Sequence, residues 1–175
     1  MKKITYVIGG DLREPLGSDQ KKVIAHCVND QGRMGAGVAK ALFEKWPSVR
    51  SEYIKWFQDD NGFSLGNSQI VKVENDICVV NIIGQHDTKI KDGIPPVRYE
   101  AIQSGFRFLN DLCDLCGTTI HLPYLMGCDL AGGKWEEVEA LINKELVRKG
   151  KKVYVYDLFR KRVPKEGDIV DDLPW

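Results

Sequence analysis

Apolar and polar positions along the chain follow two rhythms. Short, mostly apolar runs at Ile4–Ile8, Val23–Val28, Gln69–Val73, Ile77–Ile83, Thr118–Pro123 and Val153–Leu158 read as strands. Between them, Gly37–Trp46, Ser48–Phe57, Arg98–Leu115 and Trp135–Arg148 repeat apolar residues every three to four positions, which predicts helices. Pro47 ends the first of these and sits at the opening turn of the second, and Gly150 is placed to cap the last. Glu74-Asn75-Asp76 separates two strand runs as a hairpin connection does. Strands alternating with helices imply an α/β protein, a three-layer α/β/α sandwich. Its central sheet is expected to be mixed and largely parallel, with the hairpin as the antiparallel part.

This pattern holds over residues 1–158 and predicts one domain there. The tail 159–175 is charged, contains Pro164, Gly167 and Pro174, and shows no period. It is expected either to be disordered or to pack Ile169, Val170 and Trp175 on the domain. A chain of 175 residues can bury a substantial core.

Charge narrows the classes of partner. Lys plus Arg equal Asp plus Glu at 25 each, so the basic excess of a phosphate-backbone binder is missing and nucleic acid is not expected. One anionic small molecule stays compatible, because backbone N–H groups hold phosphates without net charge. No apolar run approaches a membrane span, no secretory leader is recognisable, and a cytoplasmic protein is expected. Five scattered cysteines read as reduced thiols; Cys113-x-x-Cys116 lies late in a helical pattern and lacks a second Cys/His pair at metal spacing. Nothing in the sequence requires a metal or cofactor.

In a parallel sheet of this kind, ligands bind beyond the carboxyl ends of the strands. Three unusual loops fall there: Gly9–Leu12, Asn29–Val38 and Leu125–Gly133. Arg33-Met34-Gly35-Ala36-Gly37-Val38 puts small residues directly before a helix, where backbone can approach a ligand and free N–H groups favour an anion. It is neither a P-loop nor the full dinucleotide fingerprint. Gly127-Cys128-Asp129-Leu130-Ala131-Gly132-Gly133-Lys134-Trp135 repeats the arrangement before another helix. Either loop alone could be a tight turn; two on one sheet edge can clamp a diphosphate from both sides.

Several segments then match a known family in its order along the chain. They are Ile4-Thr5-Tyr6-Val7 with Gly10-Asp11-Leu12, Ala25-His26-Cys27-Val28-Asn29 with Arg33–Ala39, and Val97-Arg98-Tyr99-Glu100. Pro123-Tyr124 with Gly127–Trp135 and Val153-Tyr154-Val155-Tyr156-Asp157-Leu158 complete the set. The chain resembles the macrodomains, in the branch of the terminal ADP-ribose protein glycohydrolase and the ADP-ribose 1''-phosphate phosphatases. That resemblance implies ADP-ribose or an ADP-ribosylated substrate as partner. It implies that Asp11 accepts the adenine amino group, with the Leu12 N–H nearby, and that Asn29 and Met34 sit at the distal ribose. It further implies that Gly35, Ala36, Gly37 and Val38 hold the diphosphate together with the Leu130–Gly133 loop, and that Gly127, Cys128, Asp129, Leu130, Ala131 and Gly132 are ligand-binding. Simpler readings remain beside these: Asp11 as a cap, Asn29 as a turn residue, Met34 as core filling.

The match breaks where the glycohydrolases carry a nucleophilic lysine and a second-loop aspartate. This chain has Gly84 and Ala131 at those positions, and neither can act as nucleophile, acid or base. Asp129 stands where relatives have glycine. It is open to three readings: a loss of close anion approach, a replacement acid/base, or a cap on the following turn. Gln85-His86-Asp87, just past a central strand, offers a histidine for proton transfer, with a plain polar loop residue as the alternative. His26 and His121, inside apolar strands, read as structural. The expected function is therefore binding of ADP-ribose or a derivative with hydrolysis at the distal ribose, by an ADP-ribose 1''-phosphate phosphatase or an ADP-ribosyl-ester hydrolase. Asn29, His86 and Asp129 are the candidate catalytic residues. The alternative is a non-catalytic reader of ADP-ribose; a weaker one is a nucleic-acid accessory protein using the basic Arg160–Lys165.

Overall fold

Lys22–Asn29 (β2) is apolar on both sides because both faces of the strand are covered, and all but one of its residues are buried. Val23 and Ala25 point into one core cluster, Ile24 and Val28 into another. These alternating faces define three layers. A computed structural model describes residues 2–171, so Trp175 lies outside the described residues.

The remaining elements are Thr5–Ile8 (β1), Gly37–Lys45 (α1), Ser48–Asp59 (α2), Ser68–Lys72 (β3), Ile77–Gln85 (β4) and Tyr99–Cys116 (α3). Thr119–Pro123 (β5), Trp135–Ile142 (α4), Val153–Asp157 (β6) and Ile169–Val170 (β7) follow. The seven strands lie in the order β3-β4-β2-β5-β6-β1-β7. Every neighbouring pair is parallel except β3 with β4, the hairpin foreseen at Glu74–Asp76. The three-layer sandwich with a mixed, largely parallel sheet is thus the fold of the chain.

On one face α1 and α2 bury Leu42, Val49 and Tyr53 against Ile24, Val28, Val79 and Ile83. On the other, α3 and α4 bury Ile102, Phe106, Leu109, Val138 and Ile142 against Val80, Ile82, Ile120 and Leu122. Each such side chain contributes roughly 1.5–3 kcal/mol by leaving water.

One element differs from the expectation. The helix from Trp135 does not stay α-helical to Arg148; it widens into a π-helical turn at Asn143–Val147. There the buried Glu145 carboxylate is held by Gln103, Arg107 and Lys149. The tail docks: Ile169–Val170 pairs in parallel with Val7–Ile8, and the Asp171 N–H donates to the Ile8 carbonyl at 2.8 Å. Arg162 lies over the Tyr6 ring at 3.6 Å, and its N–H donates to the Asp157 carboxylate at 2.7 Å. Among the described residues no helix is long and apolar enough to cross a membrane.

Candidate functional site

The carboxyl ends of β1, β2, β4, β5 and β6 open into a cleft of about 340 Å³. Its walls come from Gly10–Arg13 after β1, Ala36–Ala39 with Ala41 and Leu42 at α1, and Leu125–Gly127 with Asp129–Ala131 after β5. Asp157–Phe159 and Lys161 close the side nearest β6, and His26, Cys27, Gln85 and Tyr156 form further lining. Both glycine-rich loops therefore meet at one cavity.

The first loop presents a helix start without a cap. Ala36 is extended (φ −140°, ψ 164°) and no side chain caps α1. Gly37 takes φ +58°, a left-handed conformation that disfavours side chains. The first intrahelical bond is Lys40 N–H to Ala36 O, which leaves the N–H groups of Gly37, Val38 and Ala39 without a helical partner. These donors stand at the positive end of the helix dipole, where negative charge is favoured.

Other residues of that loop do different work. Asn29 is buried and absent from the cleft lining. Its Oδ1 accepts the N–H groups of Gln31 (3.0 Å) and Arg33 (3.2 Å), and its Nδ2 donates to Arg33 O at 2.6 Å. The buried Tyr53 hydroxyl lies against both Asn29 O and Oδ1. These bonds shape the 29–33 turn, the simpler of the two readings of this residue. Met34 packs with Leu42, Trp46 and Tyr53 as core, and Gly35 also lies off the lining.

The second loop is folded on itself. Gly133 N–H donates to Gly127 O at 2.9 Å, and a Cβ on Gly133 would collide with that oxygen. Cys128 N–H bonds to Leu125 O and Gly132 N–H to Asp129 O, while Ala131 is buried and accepts from Val97 N–H. Asp129 and Leu130 stand exposed on the cleft. Further along, α4 starts after Lys134 without a side-chain cap. Cys128 and Gly132 belong to the loop but not to the lining. Burial pushes the thiols of Cys27 and Cys128 up to about 12, so neither is a ready thiolate.

At the opposite end, Asp11 lines the cleft but its carboxylate is already engaged. Arg13 donates to it through its main-chain N–H (2.9 Å), Nε (3.0 Å) and Nη2 (2.7 Å). Burial alone would raise this carboxyl; the Arg13 contacts more than offset that and hold it below its ordinary value. Leu12 is buried beside it. Tyr156 extends from the cleft inward: its hydroxyl accepts from Leu16 N–H (2.9 Å) and lies 2.8 Å from His121 Nδ1. His121 Nε2 lies 2.8 Å from Thr119 Oγ1, and burial, with Lys22 and Lys152 adding, lowers this histidine to about 3. His26 reaches Asn81 Oδ1 at 2.5 Å, and burial lowers it to about 4. Both rings are buried within the sheet and hydrogen-bonded there.

His86 is not on the cleft lining; it follows Gln85, which is. Its Nδ1 lies 2.7 Å from Asp30 Oδ2, with the imidazole 55% exposed. Gly84 is buried so tightly that a Cβ would sit 2.5 Å from Cys27 Sγ and 2.9 Å from Ile102 Cγ1. The sequence reading missed Arg13, Gln85, Tyr156, Phe159 and Lys161 as cleft residues. Tyr156 was findable, because strand alternation places it on one face with Tyr154.

No family model matches the chain. It is 40% identical to a macrodomain protein of Streptomyces coelicolor over 89% of this chain and 99% of that one, with a TM-score of 0.78. It is 29% identical to the ADP-ribose glycohydrolase OARD1 of Homo sapiens, over 89% of this chain and 92% of that protein. It is also 26% identical to the chromodomain-helicase-DNA-binding protein 1-like of Mus musculus over 87% of this chain, but spans only 17% of that protein's length.

Proposed function

This chain belongs to the macrodomain family, and from that premise we propose that its cleft binds ADP-ribose or a derivative and that the protein hydrolyses a bond at the distal ribose C1''. The observation that carries the reading is the meeting of two glycine-rich loops, one opening α1 with three unpartnered N–H groups, across a single cleft. A diphosphate fits that chemistry, since aligned backbone donors stabilise it without net positive charge. Arg13 and Lys161 supply cations at the same cleft. Asp11 then meets the adenine amino group at the other end; a carboxylate has about four lone-pair sites, enough to serve Arg13 and one more donor.

The substrate is ADP-ribose 1''-phosphate or an ADP-ribosyl ester, the second in line with the glycohydrolase activity carried in the name of the human relative. Asp129, exposed on the cleft with no partner for its carboxylate among the described residues, and His86, next in the chain to the cleft residue Gln85, are the groups assigned to proton transfer. Asn29 acts one step back, by holding the first loop in shape.

A second reading, an ADP-ribose reader without turnover, is favoured by Gly84 and Ala131 at the positions of the glycohydrolase lysine and aspartate. Calorimetry with ADP-ribose tests binding. Assays of phosphate release from ADP-ribose 1''-phosphate and of ADP-ribose release from modified protein test turnover. No heat of binding by the folded protein sinks both readings; binding without turnover selects the reader.

A further inference from the structure

The ends of β2 and β4 place an acid beside a histidine, one residue past Gln85 of the cleft lining. Asp30 follows β2, His86 follows β4, and the two strand ends are joined by the Asp30 N–H to Gln85 O bond at 3.0 Å. His86 is anchored separately, its N–H donating to Pro96 O at 2.8 Å. Asp30 Oδ2 lies 2.7 Å from His86 Nδ1, while Asp30 Oδ1 accepts from Asp87 N–H and Gln31 Nε2, each at 2.9 Å. Asp30 is largely covered (16% exposed), whereas the imidazole stands 55% exposed. An incidental surface pair would have neither the fixed main chain nor a carboxylate clamped from its second oxygen.

We propose that Asp30 is a positioning residue that fixes the proton of His86 on Nδ1 and leaves Nε2 as the base for water attack on the substrate. This rests on the hydrolase reading above. An ionised carboxylate only accepts, so the proton between Oδ2 and Nδ1 belongs to the ring, and the lone pair is at Nε2. Hydrogen bonds from Gln31, Asp87 and His86 outweigh burial and hold Asp30 in its ionised form.

Gln85, which lines the cleft, directly precedes this base in the chain. ADP-ribose fills the cleft, but the group attached to C1'' is a phosphate or a protein side chain and must project toward solvent. As the water oxygen bonds to the electrophilic atom of the scissile bond, Nε2 takes one water proton and the ring becomes imidazolium, its charge balanced by Asp30. As the old bond breaks, that proton passes to the departing oxygen and the ring returns to neutral. No oxidant, metal or further reactant enters the balance. Because the dyad meets the leaving group and not the nucleotide, it acts on turnover and leaves ADP-ribose affinity alone.

The test joins nitrogen-15 NMR of the imidazole to a double-mutant cycle on hydrolysis. The neutral wild-type ring is expected as the Nδ1–H tautomer, and Asp30→Asn as a tautomer mixture. His86→Gln and Asp30→Asn are each expected to lower kcat about 10²-fold, the double variant no further, with Kd for ADP-ribose unchanged. An Nε2–H tautomer in wild type overturns the proposal whether or not the variants fold. So does a kcat for Asp30→Asn within about twofold of wild type, or losses that multiply in the double variant. Wild-type binding with no turnover overturns both this assignment and the hydrolase reading; turnover with an inert dyad overturns this assignment alone.

Discussion

Tyr156 and His121 share a hydrogen bond of 2.8 Å that links the wall of the cleft to a histidine with no exposed surface. The same tyrosine hydroxyl receives the N–H of Leu16, so the loop after β1 hangs from a polar thread inside the core. Tyr156→Phe removes an acceptor and a partner at once. It is expected to cost about 1–3 kcal/mol, because it leaves a buried ring nitrogen without its partner. Thermal unfolding, with ADP-ribose titration to report the loop, checks it; an unchanged Tm contradicts the thread.

The buried histidines make stability pH-dependent in a defined direction. His121 is lowered to about 3 and His26 to about 4, from an ordinary value of 6.5. Between 6.5 and about 4 the unfolded chain binds more protons than the folded one, so stability is full above that window and falls as pH drops through it. Denaturant midpoints measured down to about pH 5, where exposed carboxylates stay ionised, should already decline. A flat profile over that range rules this out.

Restoring the missing lysine by one substitution is expected to fail. A Cβ at Gly84 meets Cys27 Sγ at 2.5 Å, so even Gly84→Ala should cost about 1–3 kcal/mol by overpacking. Gly84→Lys should be less stable again and no more active. A Gly84→Ala variant with wild-type Tm would show that the sheet has slack there.

Asp11→Ala is expected to weaken ADP-ribose binding about 10–100-fold by calorimetry, the worth of a hydrogen bond to a charged acceptor. Arg13 loses its anchor in the same variant. Adenosine as competitor localises the effect: it should compete against wild type and lose that ability in the variant.

Arg162→Ala should lower stability by about 1–2 kcal/mol, since a partly desolvated guanidinium lies 3.6 Å over the Tyr6 ring. The Tyr6 hydroxyl is itself bonded to Glu139 and to Trp135 Nε1, which ties the tail to α4. Differential scanning calorimetry reads the loss.

The layers of the fold were legible because strands such as Val23–Val28 are mostly apolar on both faces and helices such as Arg98–Leu115 repeat on one face. The π-helical turn at Asn143–Val147 was not, because its apolar spacing still passes for an α-helix. A two-residue strand like Ile169–Val170 has no period to detect; its position comes from backbone pairing. In the site, small residues beside helix starts marked the two loops that border the cleft. Asn29 and Met34 pack against partners distant in sequence, Tyr53 and Trp46 among them, which no local pattern announces. Arg13 escaped notice because a charged residue in an aperiodic loop carries no local signal of its hold on Asp11.

The seventh strand also carries a consequence for solubility. Without Ile169–Val170, the Thr5-Tyr6-Val7-Ile8 segment would become a bare edge, β-prone and uncharged, with unpaired N–H and C=O groups. Such edges recruit strands from other molecules. Proteolytic clipping between Phe159 and Asp168 should therefore turn a monodisperse protein into one that self-associates, without touching a residue of either glycine-rich loop.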